Sequence, residues 1–191
     1  MAARTVLGPK SGGTPGEVSR PGPACCAIAH TPAVEDYLKY LVALSNSVVS
    51  GDPDADSSGC PDSVVGTGAL ARELAVAPSS VTAMMDRLVA HGLVDRRGRG
   101  RVRLTAHGRS HGLVLLRRHR LVETYLCQVL GVPADEVHRE AEVLEHAVSQ
   151  ALEDRMDDVL GHPRQDPHGS WIPPRSVDGP DVEQGRRDDS R

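Results

Sequence analysis

Four residues in the second half of the chain, His138, Glu142, Glu145 and His146, offer metal-ligand atoms at helical spacing. At about 100° per residue, an α-helix gathers them into a single arc of roughly 100°. His119 and Glu123 repeat the i, i+4 spacing on an earlier stretch. Imidazole nitrogens and carboxylate oxygens from two neighbouring helices form a donor set for a divalent first-row metal. One such pair is ordinarily a solvated or satisfied surface pair; six candidates on two successive helical stretches point to a site. No His-Glu-x-x-His arrangement occurs, and no nucleophile has an evident base beside it, which speaks against a metallohydrolase and against an enzyme in general.

The elements that must position these residues can be read from periodicity and breakers. A long helix should run from beyond Thr105 to about Leu130, where Gly131 ends it. Another starts near Pro133, and a shorter one follows Ser149 and stops at Gly161. Upstream, Val34, Leu38, Leu41, Val42 and Leu44 form the apolar stripe of a helix over Pro32 to Ser47. Between them lies a compact pattern. Thr67 is placed to cap a helix over Gly68–Leu74, and Pro78 suits the first position of a second helix that Gly92 stops. Leu93–Arg96 and Arg101–Leu104 then read as two short strands, with Arg97-Gly98-Arg99-Gly100 as their turn. Helix, turn, helix and hairpin in this order make a winged helix-turn-helix. The expected fold is therefore mainly α: an N-terminal winged helix-turn-helix over residues 32–105, then an all-helical dimerisation and metal-binding domain over 106–174. Residues 1–31 and 175–191 are expected to be disordered tails, and 51–63 a polar loop.

Charge supports a nucleic-acid face. The net charge of the 191-residue chain is −4, yet Arg96 to Arg120 holds nine arginines and no acid, while Glu123 to Asp158 is acidic. In a winged helix-turn-helix the second helix enters the major groove by its N-terminal residues, here Ser79, Ser80 and Thr82, with Arg87 further along. Arg97, Arg99 and Arg101 of the hairpin can hold phosphates or enter the minor groove. The four cysteines, Cys25, Cys26, Cys60 and Cys127, lack zinc-finger spacing and read as reduced thiols of a cytoplasmic protein. No apolar run approaches the ~20 residues of a membrane span. A winged-helix regulator of the MarR-like kind, sensing an organic ligand or an oxidant through Cys127, is the alternative that these features leave open.

The motifs in order are Glu35-Asp36-Tyr37-Leu38, then Leu74 to Thr82, Gly92-Leu93-Val94, Leu104 to Arg109, Arg118 to Glu123, Val137 to Glu142, Leu144-Glu145-His146 and Pro167-His168-Gly169. This run resembles the diphtheria toxin repressor / manganese transport regulator family of metal-activated transcriptional repressors, over about residues 33 to 173. The resemblance implies one metal position at His119, Glu123 and His138, and another at Asp36, Glu142, Glu145 and His146. Where the iron-responsive branch carries Met and Cys, this chain has Asp36 and Glu142, and hard oxygen donors favour Mn²⁺, with Fe²⁺ second. Close manganese-regulator relatives place a bridging acid three residues after the position of Asp36; this chain has Lys39, so two separate sites are expected instead of a bridged pair. Asp166 stands where a cysteine is usual, the SH3-like domain of the long forms is not expected, and His162 and His168 are expected to be loop histidines. Apolar positions that metal binding does not use, Leu113, Leu116, Val143, Leu144, Val148 and Leu152, either fill the core or join a homodimer, which would bind a palindromic double-stranded DNA operator. Asp36, apart in sequence from the other ligands, would let metal couple the first helix to the helical domain.

Overall fold

Leu38, Leu41 and Val42 recur at the spacing that puts them on one face of a helix, and in the computed structural model all three are fully buried on α1 (Pro32–Val49). The structure describes residues 31–49 and 63–175; the expectations for residues 1–30, for the loop up to residue 62 and for the tail after residue 175 lie outside them. Next come β1 (Val65–Gly66), α2 (Thr67–Glu73), α3 (Pro78–Ala90), β2 (Val94–Arg96) and β3 (Arg101–Leu104). The strands form one antiparallel sheet in the order β1-β3-β2, with Val65 opposite Val102 and Val94 opposite Leu104. Gly98 and Gly100 turn the hairpin with φ of 95° and 67°, a region glycine enters without a Cβ clash. These elements are the winged helix-turn-helix that the pattern predicts.

Two details differ from expectation. Thr67 is the first residue of α2 and does not cap it. Its hydroxyl and its amide both donate to the carbonyl of Gly100, at 3.2 and 2.9 Å. The cause is β1, a strand too short to show any periodicity, which pairs with β3 and delivers Thr67 against the wing turn. The helix expected near Pro133 begins at Val137, after a turn over residues 134–136 in which the amides of Glu136 and Val137 share the Pro133 carbonyl.

The helical part comprises α4 (Ala106–Gln128), α5 (Val137–Leu144) and α6 (Gln150–Leu160). Thr105 caps α4: its hydroxyl accepts from the amide of Gly108 at 3.0 Å and donates to the carbonyl of Gly92 at 2.7 Å. Ser149 and a left-handed Gly161 bound α6 as expected. One apolar cluster joins α1, α2, α3, the sheet and the first half of α4; a second joins Val122 and Leu126 of α4 to Val137 and Ala141 of α5 and to Val148. α4 is thus the beam common to both. Gly112 lets α1 lie directly on it, since a Cβ there would sit 2.4 Å from a Val42 methyl and 2.8 Å from the Leu38 carbonyl oxygen.

The arginine run does not form one face. Arg117 and Arg118 turn inward to Glu153 and Asp157 on α6, and Arg120 reaches Asp166. Only the earlier part of the run, Arg96 to Arg101, is exposed to solvent, because α4 delivers Arg109 to Asn46, Arg117 and Arg118 to α6, and Arg120 to Asp166.

Candidate metal centre and nucleic-acid interface

α1, α4 and α5 converge on a cluster of imidazoles and carboxylates. His119 and Glu123, one turn apart on α4, are both buried and face α5. His119 Nε2, His138 Nδ1 and Glu123 Oε1 form a triangle with sides of 3.1, 2.9 and 3.1 Å. Donors bonded at about 2.1 Å and at right angles about one ion lie about 3.0 Å apart. The triangle therefore fits one face of a six-coordinate first-row ion.

The second group draws Asp36 from α1 together with Glu145 and His146. α5 ends at Leu144, but Glu145 keeps helical backbone angles, so the predicted arc survives onto the turn. Donor atoms of Asp36, Glu145 and His146 lie within 4.8 Å of one another. Asp36 Oδ1 is buried with no hydrogen-bond partner among the described residues, although His146 Nε2 is 3.2 Å away. A buried carboxylate oxygen that faces cationic side chains without a hydrogen bond is suited to a cation. Burial raises the Asp36 carboxyl above its usual range, against the pull of Lys39 and His146. Glu142, expected with the second group, has a donor atom within 4.8 Å of those of His119 and His138; it lies 3.6 Å from His138 Nε2 and is hydrogen-bonded to Tyr40 at 2.9 Å. The seven residues expected as ligands, Asp36, His119, Glu123, His138, Glu142, Glu145 and His146, are all brought to this place.

Charge inside the cluster is compensated in part, by Lys39 and His119. Lys39 extends its ammonium to Glu142 Oε1 at 2.7 Å and Glu145 Oε1 at 2.6 Å. His119 Nδ1 lies 2.5 Å from the other Glu145 oxygen. Burial works against the charge of His119, but its hydrogen bonds to Glu123 and Glu145 prevail and push it up to about 9. Burial would raise Glu123, but hydrogen bonds from His119 and His138 bring it down to about 2. Protonated His119 and ionised Glu123 therefore face each other at neutral pH.

One residue beyond the expected ligands supports the site. Glu35 is buried, and its Oε2 lies 2.7 Å from His146 Nδ1, which leaves His146 Nε2 aimed at Asp36. A carboxylate behind a ligand histidine fixes its tautomer and ring orientation. The adjacency of Glu35 to Asp36 was the available signal. Asp166 and His168 lie beside Glu123, with donor atoms within 4.8 Å of one another; His168 itself is an exposed loop residue whose Nε2 lies 2.9 Å from the Ala134 carbonyl. Asp166 is held by the amides of His168 and Ser170 at 2.9 and 2.8 Å. His162 lies outside these groups and pairs with Asp157 at 2.9 Å. A cavity of about 200 Å³ beside the cluster is lined by Lys39, Tyr40, Leu116, His119, His138 and His168, among others.

On the winged part, Ser79, Ser80, Thr82 and Arg87 are exposed on α3, and Arg97, Arg99 and Arg101 are exposed on the wing. The Thr82 hydroxyl donates to the Pro78 carbonyl at 3.0 Å, so toward a base edge it keeps acceptor capacity and its methyl. Of the apolar positions expected at a dimer contact, Leu113, Leu116 and Val148 are core, whereas Val143, Leu144 and Leu152 are exposed on α5 and α6. Among the described residues no helix is long and apolar enough to cross a membrane.

Two family profiles match the chain: "Iron dependent repressor, N-terminal DNA binding domain" over residues 57–102 and "Iron dependent repressor, metal binding and dimerisation domain" over residues 105–174. The iron-dependent repressor IdeR of Mycobacterium leprae is 36% identical over 104 residues, 54% of this chain and 45% of that protein. The HTH-type transcriptional regulator MntR of Geobacillus kaustophilus is 31% identical over 137 residues, 71% of this chain and 86% of that protein. Among solved structures, a manganese-dependent transcriptional repressor in complex with manganese is 41% identical, with a TM-score of 0.62, covering 77% of this chain and 62% of that one. The manganese regulator SloR is 35% identical with a TM-score of 0.60. The chain spans about half the length of the IdeR relative it matches.

Proposed function

The chain belongs to the iron-dependent repressor family of metal-dependent transcriptional repressors, and from that premise we propose that it is a manganese-activated repressor, its winged helix-turn-helix over residues 32–105 reading DNA and its helical domain over 106–174 sensing metal. The observation that supports this most is the triangle of His119, His138 and Glu123, with sides close to those a six-coordinate ion imposes. Beside it, Asp36, Glu142, Glu145 and His146 supply a second set of donors. Both sets contain only nitrogen and oxygen donors, with no thiolate or thioether, which favours Mn²⁺ over softer ions; Fe²⁺ is the second reading, favoured by the IdeR match.

A bound divalent ion supplies a positive centre that several carboxylates and imidazoles can share. The residues do the rest. Asp36 belongs to α1, which packs on the winged core, and its partners Glu145 and His146 follow directly on the end of α5. Drawing them together ties the reading head to the sensing domain and removes repulsion among the carboxylates. The inactive and active arrangements differ in how well they hold these donors, and moving a population from mostly inactive to mostly active takes about 5.5 kcal/mol of differential binding. We assign Ser79, Ser80, Thr82 and Arg87 to the major groove, and Arg97, Arg99 and Arg101 to phosphates or the minor groove. A homodimer joined through exposed Val143, Leu144 and Leu152 would present two such heads to a palindromic operator in the cytoplasm.

The test is DNA affinity across Mn²⁺, Fe²⁺, Co²⁺ and Zn²⁺ at one salt concentration, on a duplex selected from a randomised pool by the Mn²⁺-loaded protein. Mn²⁺ should activate at the lowest free concentration. Asp36→Ala should abolish most of the metal dependence and leave the fold intact; unchanged dependence rejects the coupling through α1.

A further inference from the structure

The cage made by Asp36, Glu142, Glu145 and His146 already encloses a cation of the chain itself. We propose that Lys39 is a tethered competitor for the divalent ion at this cage: its ammonium holds the carboxylates together in the ion-free protein, and it must withdraw for the cage to load, so it sets the ion concentration at which the protein responds. This rests on the metal-sensing reading given above.

Four observations carry it. Lys39 is 2% exposed, so its charge is stabilised by protein groups and not by water. Its Nζ is 2.6 Å from Glu145 Oε1, 2.7 Å from Glu142 Oε1 and 3.8 Å from Asp36 Oδ1, touching three of the four side chains of the cage. Glu145 has no spare oxygen, since Oε2 faces His119 at 2.5 Å and Oε1 faces Lys39. An ion bonded to Oε1 at about 2.1 Å would lie within roughly 5 Å of Nζ where it now stands, a like-charge contact poorly screened by water. Finally, there is room to leave: the cavity of about 200 Å³ opens directly beside Lys39 and Tyr40. The residue type also matters. Lysine presents a compact point charge on a flexible stem, suited to entering and leaving a cage, and the chain has only one other lysine, Lys10, its remaining basic residues being arginines.

Calorimetric titration of the full-length, ion-free protein with MnCl₂ tests this, on wild type, Lys39→Gln and Lys39→Arg. Removing the competitor should tighten binding at the cage by roughly tenfold or more, because two charge-assisted hydrogen bonds no longer have to be exchanged. Lys39→Arg keeps the charge and should bind Mn²⁺ no tighter than wild type. Affinity in Lys39→Gln equal to or weaker than wild type overturns the inference but leaves metal sensing standing, the lysine then being a support of the site. Failure of every variant and of wild type to bind Mn²⁺ overturns both. A second arm needs no substitution and decides the matter if Lys39→Gln does not fold. Acetylation of wild type by acetic anhydride, read by peptide mass relative to Lys10, should rise several-fold at Lys39 when Mn²⁺ is added. Equal modification with and without Mn²⁺ overturns the withdrawal.

Discussion

Raising the pH from 7 to 8 should tighten Mn²⁺ binding by about tenfold, because the ion must displace a proton from His119. Its imidazole is 5% exposed and its pKa is pushed up to about 9 by hydrogen bonds to Glu123 and Glu145 that outweigh its burial. A metal takes only the neutral ring, which at pH 7 is about 1% of the total for a pKa near 9. The two pH units between 7 and 9 cost about 3 kcal/mol of apparent binding energy, a factor of about a hundred, regained by about tenfold per unit as pH rises. The same proton stabilises the ion-free fold. A histidine raised from 6.5 contributes fully below 6.5, and that contribution is lost as pH rises through about 9. Glu123 runs the other way: lowered from 4.5 to about 2, it contributes above 4.5, and its share is lost as pH falls toward 2. The melting temperature of ion-free protein should therefore decline between pH 6.5 and 9 while the gain on adding Mn²⁺ grows. Titration calorimetry in two buffers of different ionisation heat measures both affinity and proton release; close to one proton per ion bound by His119 is expected at pH 7. A flat affinity from pH 6.5 to 8 with no released proton would show that His119 gives up no proton on ion binding.

Other outcomes follow from the same geometry. Glu35→Gln should weaken Mn²⁺ binding by about ten- to a hundredfold in titration calorimetry, because the carboxylate behind His146 sets its tautomer. Gly112→Ala should destabilise the fold by about 1–3 kcal/mol in urea unfolding, since the added methyl meets the Leu38 carbonyl and a Val42 methyl. Arg99→Ala and Arg101→Ala should each lower the salt slope of DNA binding by about one, read by fluorescence anisotropy, with Mn²⁺ affinity unchanged.

What the sequence could and could not reveal divides along a physical line. Helical spacing exposed His138, Glu142, Glu145 and His146, and breakers exposed the winged helix, because both signals are local. The triangle of His119, Glu123 and His138 needed the crossing of α4 and α5, which spacing alone does not specify; a family resemblance supplied it. Glu35 behind His146 and Lys39 inside the cage are pairings across more than a hundred residues, invisible to any window. The arginine run misled for the same reason. Composition sees nine like charges, whereas α4 delivers Arg117 and Arg118 to the acids of α6 and leaves the wing as the exposed basic part. Thr67 likewise looked like a cap until a two-residue strand brought it against Gly100.

If metal held by these side chains licenses DNA binding, the ion-free and ion-loaded forms must differ on one and the same duplex. Chelator-treated and Mn²⁺-loaded protein are titrated at a single ionic strength onto one fluorescent duplex, the one recovered from the randomised pool. Affinity for this duplex should rise by at least about a hundredfold on loading and fall back when chelator is returned. Equal affinity in both states would contradict that licensing.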